Sequence, residues 1–280
     1  MTYKRLRLEM VILLACTAVF EAAATGATGG SVSDWHLLES DLPGFLPRIV
    51  FYDSRGREVD AKSIGGNAPW SLVDEDQASA DARAHWKAGM EAGGAYKWPQ
   101  AMAEFRAAHR LSPRWAQPVY QGAWTALLMG DDALAETLYV WTDRLVPQGY
   151  WTAKSGRDCL ERERLGEFPA GLYRRYVQLE FLDSAARAKQ LETLVKEHPS
   201  FAPAWKDLSV LRTSDAGRDE AYRHGMAGRP DAETRCFLQL FRAQWLIRAK
   251  RADEASRILE HLRTDPATTL QVRVLSQLLR

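Results

Sequence analysis

Between Ala101 and Pro147 a set of residues recurs at a spacing of thirty-four. Ala101, Phe105, Ala108 and Pro113 form the first set, and Ala135, Tyr139 and Pro147 repeat it. A small residue with an aromatic ring four positions later suits two closely packed helices. The small side chain lets the backbones approach, and the ring fills the space beside it. The proline then ends the helix, since it lacks an N–H and clashes with the preceding turn. Such a helix pair cannot bury its apolar faces alone, so the pattern constrains the chain to an array of pairs.

Helices are expected over 78–92 and 99–110, with Gly89 where the two backbones come close. A second pair runs from Pro118 to Pro147, turning at Gly130-Asp131-Asp132, whose acids suit a helix cap. From Pro147 to Pro199 is fifty-two residues, eighteen more than one unit. The surplus falls in Gln148 to Gly171, with a short helix over 157–165. This insertion either projects as a binding face or covers an apolar seam with Tyr150 and Trp151. A third pair spans 173–182 and 185–197. Arg187 takes its small-residue position, so the helices stand farther apart there or the register shifts by one. A fourth pair begins at Ala202 and ends in a glycine-containing helix, 218–227. The fifth covers 232–250 and 252–262, and 272–280 reads as a capping helix with Gln271, Arg273 and Gln277 on its polar outer face.

The recurring small residue, aromatic and proline resemble the second helix of a tetratricopeptide repeat. Gly89, Trp205 and Leu208 match positions on that family's first helix; the usual tryptophan is His85 in the first unit, with Trp86 adjacent. The resemblance implies an all-α, right-handed helical solenoid of about five helix pairs over 77–280. It also implies a concave groove that binds a peptide or protein partner. Candidates for that groove are the aromatic residues Trp124, Tyr150, Trp151 and Trp205, and the polar residues Arg174, Gln178, Lys206 and Arg212.

The N-terminal eighty residues read differently. Lys4, Arg5 and Arg7 precede an apolar run from Met10 to Phe20 and then small residues, the layout of a secretory signal. Export or membrane association through residues 1–27 therefore stands beside a cytoplasmic reading in which this run is a buried strand or helix. Residues 28–76 form a small element. Leu46 to Tyr52, the turn Asp53-Ser54-Arg55-Gly56 and Arg57-Glu58-Val59 predict a β-hairpin. Ala68 to Asp76 reads as a linker whose acidic triplet, Asp74-Glu75-Asp76, suits a helix start. The hairpin resembles the later half of a thioredoxin-like domain, in which Pro47 would be the cis-proline, Gly65-Gly66 the later glycines and Cys16 the redox position. A single thiol in Cys16-Thr17-Ala18-Val19 implies a degenerate domain.

A net charge of +1 argues against a dedicated nucleic-acid binder. Three cysteines are too few for a disulfide scaffold; once 1–27 is set aside, Cys159 and Cys236 are the remaining pair, joined or not. No nucleophile motif, phosphate loop or dinucleotide fingerprint occurs, and the six histidines lack metal-site spacing, so neither catalysis nor a cofactor is expected. Glu161-Arg162-Glu163-Arg164 reads as a solvated helix face. Ten tryptophans suit the seams between helices, with some free to line a binding surface. The expected function is a non-catalytic interaction or scaffold protein; the alternative is a thioredoxin-derived redox protein that gathers clients through its repeats.

Overall fold

The computed structural model describes residues 31–35, 37, 44–53, 55–61 and 69–279. These residues are predominantly helical, with twelve α-helices and one small sheet. The helices are α1 (Ala80–Gly94), α2 (Trp98–Leu111), α3 (Ala116–Met129), α4 (Asp132–Leu145), α5 (Ala153–Arg164) and α6 (Leu172–Gln178). They continue as α7 (Ser184–Glu197), α8 (Ala202–Leu211), α9 (Asp215–Ala227), α10 (Ala232–Arg248), α11 (Ala252–Thr264) and α12 (Leu270–Leu278). Helices α1 and α2, α3 and α4, α8 and α9, and α10 and α11 pack on one another as pairs. None of the described helices is long and apolar enough to cross a membrane.

Local signals start and stop these elements. Ser79 caps α1 by accepting from the Ala82 N–H at 3.2 Å, Pro99 sits in the first turn of α2, and Asp131 caps α4 through the Leu134 N–H at 3.1 Å. Gly130, at φ +84°, provides the left-handed turn between α3 and α4. Within and between pairs, glycines permit contacts that a side chain would block. A Cβ on Gly89 would lie 2.5 Å from the Phe105 ring, one on Gly156 would lie 2.7 Å from Tyr139, and one on Gly225 2.8 Å from Leu238. Gly225 thus belongs to a tight α9–α10 contact.

Strands β1 (Arg48–Tyr52), β2 (Glu58–Val59) and β3 (Trp70–Val73) form one antiparallel sheet in the order β2-β1-β3. The hairpin pairs Phe51 with Val59, closed by Asp53, which accepts from the Arg55 and Arg57 amides at 2.8 and 3.0 Å. Trp70 to Val73 is a strand and not the expected linker: it pairs with the other edge of β1 and buries Leu72 and Val73. The acidic triplet does open a helix, the short 3-10 turn Glu75–Gln77 with Asp74 at its N-cap position, but the buried Asp74 side chain makes no capping bond. All described peptide bonds are trans, including the one before Pro47, which removes its match to a cis-proline. Cys16, Gly65 and Gly66 lie outside the described residues.

The 148–171 segment covers a seam. Helix α5 begins earlier than expected, packs on both α4 and α10, and buries Ala153, Cys159 and Leu160. Its charged run is only partly solvated. Arg162 is buried with its guanidinium 3.9 Å from the Phe168 ring centre, and Glu163 caps α6 by accepting from the amides of Gly171 and Tyr173 at 2.7 and 2.6 Å. Cys159 and Cys236 are separate, buried free thiols, and burial pushes both above the ordinary thiol range. At the C-terminus Gln271 is fully buried, contrary to an outer-face role.

The glycine contacts yield a paired test. Gly156→Ala should destabilise the protein by about 1–3 kcal/mol through overpacking against Tyr139. Gly94→Ala, with nothing within 4 Å of the new methyl group, should be neutral or stabilise by up to about 1 kcal/mol. Urea denaturation midpoints at constant slope report both.

Candidate functional site

A cavity of about 380 Å³ lies where α3, α6, α8 and α10 meet the 148–152 loop and β3. Each helix presents one face to it. Tyr120 and Trp124 come from α3; Tyr173, Tyr176 and Val177 come from α6, with Glu180 just beyond. Lys206, Asp207 and Val210 come from α8, and Glu233, Phe237 and Phe241 from α10. Arg187 of α7 and Gln271 of α12 complete the wall. The spacings of three and four residues keep these side chains on a single face of each helix. Val210 is 54% exposed, so the cavity opens to solvent beside it.

One end is built from distant parts of the chain. The indoles of Trp70 and Trp151 stack with centroids 5.5 Å apart and planes 13° from parallel. Trp151 is held at φ +47°, a left-handed conformation that costs a non-glycine residue about 1–3 kcal/mol and persists only where its surroundings demand it. Those surroundings are the start of α12. The Gln271 side-chain amide donates to the Trp151 carbonyl at 3.1 Å, and the Leu270 amide donates to Gln148 at 2.7 Å. Gly149 allows the approach, since a Cβ there would meet Thr269 at 2.9 Å.

Strand β3 carries Trp70 at its start and runs directly into Asp74. This carboxyl is 2% exposed and accepts from the Trp115 indole N–H at 2.9 Å and the Tyr150 hydroxyl at 3.2 Å; the same hydroxyl also meets Gln117. Burial outweighs these donors and raises the Asp74 pKa to about 7.

The charges on the cavity wall fall into two groups. Asp207 is bound by Arg187, by Lys206 at 3.4 Å and by the Tyr176 hydroxyl at 3.1 Å. Burial works to raise Asp207, but Lys206 and Arg187 overcome it and hold the carboxyl below its usual range. Burial also opposes the Lys206 charge, and the contacts with Tyr176 and Asp207 overcome it. Glu233 is different. It is 1% exposed, its Oε2 has no hydrogen-bond partner, and burial pushes its pKa well above the carboxylate range. Burial raises Glu180 too.

Of the sequence candidates, Trp124, Trp151 and Lys206 meet on this wall. The others go elsewhere. Tyr150 is fully buried in the Asp74 junction, and Trp205 is a core ring, stacked on His224 at 4.7 Å and donating to the Pro199 carbonyl at 2.8 Å. Arg174 pairs with Asp132 at 3.5 Å, and Gln178 is exposed away from the cavity. Arg212 grips Glu192 through two bonds of 3.0 Å and Glu220 at 2.8 Å, stitching α8 to α7 and α9. Sequence reading missed Trp70, Tyr120, Tyr176, Glu180, Asp207, Glu233 and Gln271. Arg187 was visible only as a break in the small-residue pattern, and that break places a guanidinium on the cavity wall. The four-residue ladders Tyr120–Trp124 and Glu233–Phe237–Phe241 were a second available signal.

No group of three or more metal-ligating side chains occurs among the described residues. Compared with known protein families, curated proteins and solved structures, the chain matches none. The fold and the cavity therefore carry the functional reading by themselves.

Asp74 makes a pH prediction. Its folded-state pKa lies above the unfolded value of about 3.9, so the folded protein keeps a proton that the unfolded chain releases. The associated stability is full below about pH 4 and is lost as pH rises towards 7. Asp74→Asn keeps the acceptor oxygen without the ionisation. At pH 8 it should be more stable than the parent by about 2–4 kcal/mol, with the gap closing by pH 4 in denaturant titrations.

Proposed function

We propose that this chain is a non-catalytic binding protein, a solenoid of the tetratricopeptide type that takes a peptide, or an extended segment of a protein partner, into its groove. The observation that carries the reading is the composition of the cavity wall. Helices α3, α8 and α10, each the first of its pair, and α6 turn aromatic and charged faces towards one shared space. In an array of helix pairs the first helices line the concave side, where an extended segment can lie across several repeats.

The volume supports the same reading, since about 380 Å³ lies near the lower end of the range for specific ligand sites, about 300–1,000 Å³. Half-buried rings such as Trp124 and Trp151 supply contact area at small entropic cost, and aromatic anchors of this kind dominate binding energy. The redox alternative rests on Cys16, outside the described residues, and gains nothing from Pro47.

Selection of displayed random nine-residue peptides on the full chain tests the proposal, with affinities of the enriched sequences read by fluorescence anisotropy. Trp124→Ala should weaken binding about tenfold or more, while Gln178→Ala, off the cavity, should leave it unchanged. Failure to enrich any peptide, or equal affinity for a Trp124→Ala protein with an unaltered circular dichroism spectrum, would defeat the reading.

A further inference from the structure

We infer that the groove selects a basic segment, with the ammonium or guanidinium of a lysine or arginine side chain placed against Glu233 beside the Trp70–Trp151 pair. The inference rests on the peptide-binding reading above and supplies the chemistry which that reading leaves open.

The first argument is the division of charge on the wall. Both cations that face the cavity are already used: Arg187 and Lys206 converge on Asp207, which the Tyr176 hydroxyl also meets. An acidic ligand group would have to displace Asp207 from that cluster. Glu233 makes no ion pair: the Ser155 backbone N–H donates to it and Lys206 and Lys154 attract it, but neither ammonium binds it directly. Of the nearby ammonium groups, Lys206 sits on Asp207 and Lys154 sits on Asp143, while Asp231, at the head of the same helix, adds a like charge. A carboxyl that is 1% exposed, with an unpartnered oxygen, is costly to maintain in the empty protein. The arrival of a cation removes that cost, because a buried acid is tolerated when it is paired and hydrogen-bonded.

A second buried acceptor independently favours a donor. The Gln271 side chain commits its amide nitrogen to the Trp151 carbonyl at 3.1 Å, and its Oε1 has no partner. Glu233 and Gln271 both line the cavity and leave two unpartnered oxygens on its wall, beside two unpartnered donors, the Trp151 indole N–H and the Arg187 Nε. Lysine brings three N–H donors and arginine five, and neither brings an acceptor. A neutral apolar side chain would satisfy neither oxygen.

The aromatic lining agrees in sign. Indole and phenol rings present negative faces, which attract cations and disfavour anions. Trp70, Tyr120, Trp124 and Trp151 share the cavity with Glu233. They can cover the aliphatic stem of a long basic side chain while its charged end reaches the acid. Polar neutral ligands, such as sugars, could use the rings but would leave Glu233 without an ion-pair partner.

The test uses the full chain and four libraries of nine-residue peptides, fixed at the central position as lysine, arginine, norleucine or glutamate. Lysine- and arginine-centred peptides should be enriched and the glutamate library should not. Acetylating the central lysine of an enriched peptide should weaken binding about tenfold, the effect of losing a charged hydrogen bond. Glu233→Gln should weaken the lysine peptide by a similar factor and leave a norleucine-centred peptide unaffected, an outcome a merely structural Glu233 would not give. If that variant does not fold, the acetylation comparison on the unaltered protein decides. Equal binding of acetylated and free lysine peptides, or preference for norleucine or glutamate, would overturn the basic-segment assignment while leaving peptide binding intact. No binding from any library would instead remove the peptide-binding reading itself.

Discussion

The structure depends on how closely neighbouring helices approach. At Gly89 against Phe105, Gly156 against Tyr139 and Gly225 against Leu238, even one methyl group would collide with the opposite side chain. Interiors this dense leave few voids, and each helix pair buries most of its apolar face against the next. One continuous core joins Leu72 of the sheet to rings and aliphatic residues from α2 to α8, and a smaller one holds α10, α11 and α12. The cavity is bordered by Tyr173, Tyr176 and Val177 of the larger core and by Phe237, which packs on the smaller one.

Three carboxyl groups near that cavity show how surroundings set chemistry. Asp207 has two cations and a phenol, and is held below the ordinary range. Asp74 has an indole N–H and a phenol but no cation, and its pKa rises to about 7. Glu233 has no ion pair, and burial outweighs the pull of Lys206 and Lys154 and raises it well above the carboxylate range. The order follows from the competition between desolvation and compensating charge. Asp74 fastens the sheet to the helices, Asp207 neutralises the bases on the wall, and Glu233 remains the acid with an unpartnered oxygen and no ion pair.

Much of the helical layout was legible in the sequence because its signals are local. A thirty-four-residue spacing, prolines at helix starts and ends, and acids or glycines at the turns locate helices to within a few residues. Strand β3 escaped notice because Trp70-Ser71-Leu72-Val73 is short and follows a proline, and only pairing with β1 makes it a strand. Helix α5 was shortened for a similar reason: its first turn is held by burial against neighbours and not by a strong cap.

What the sequence by itself determined was the periodicity: which residues share a helix face, and where each helix must stop. Only the tertiary structure decided which faces are sealed and which remain open. Trp205 and Trp124 are both tryptophans on first helices, yet one is enclosed by His224 and the Pro199 carbonyl while the other borders the cavity. Trp151 acquires its place from Trp70 and Gln271, and Glu233 shares a wall with Lys206 and Arg187 from other helices. A helical period specifies a direction from the axis, but not the neighbour met in that direction. That neighbour comes from parts of the chain far away in sequence, and its identity separates a core ring from a binding surface.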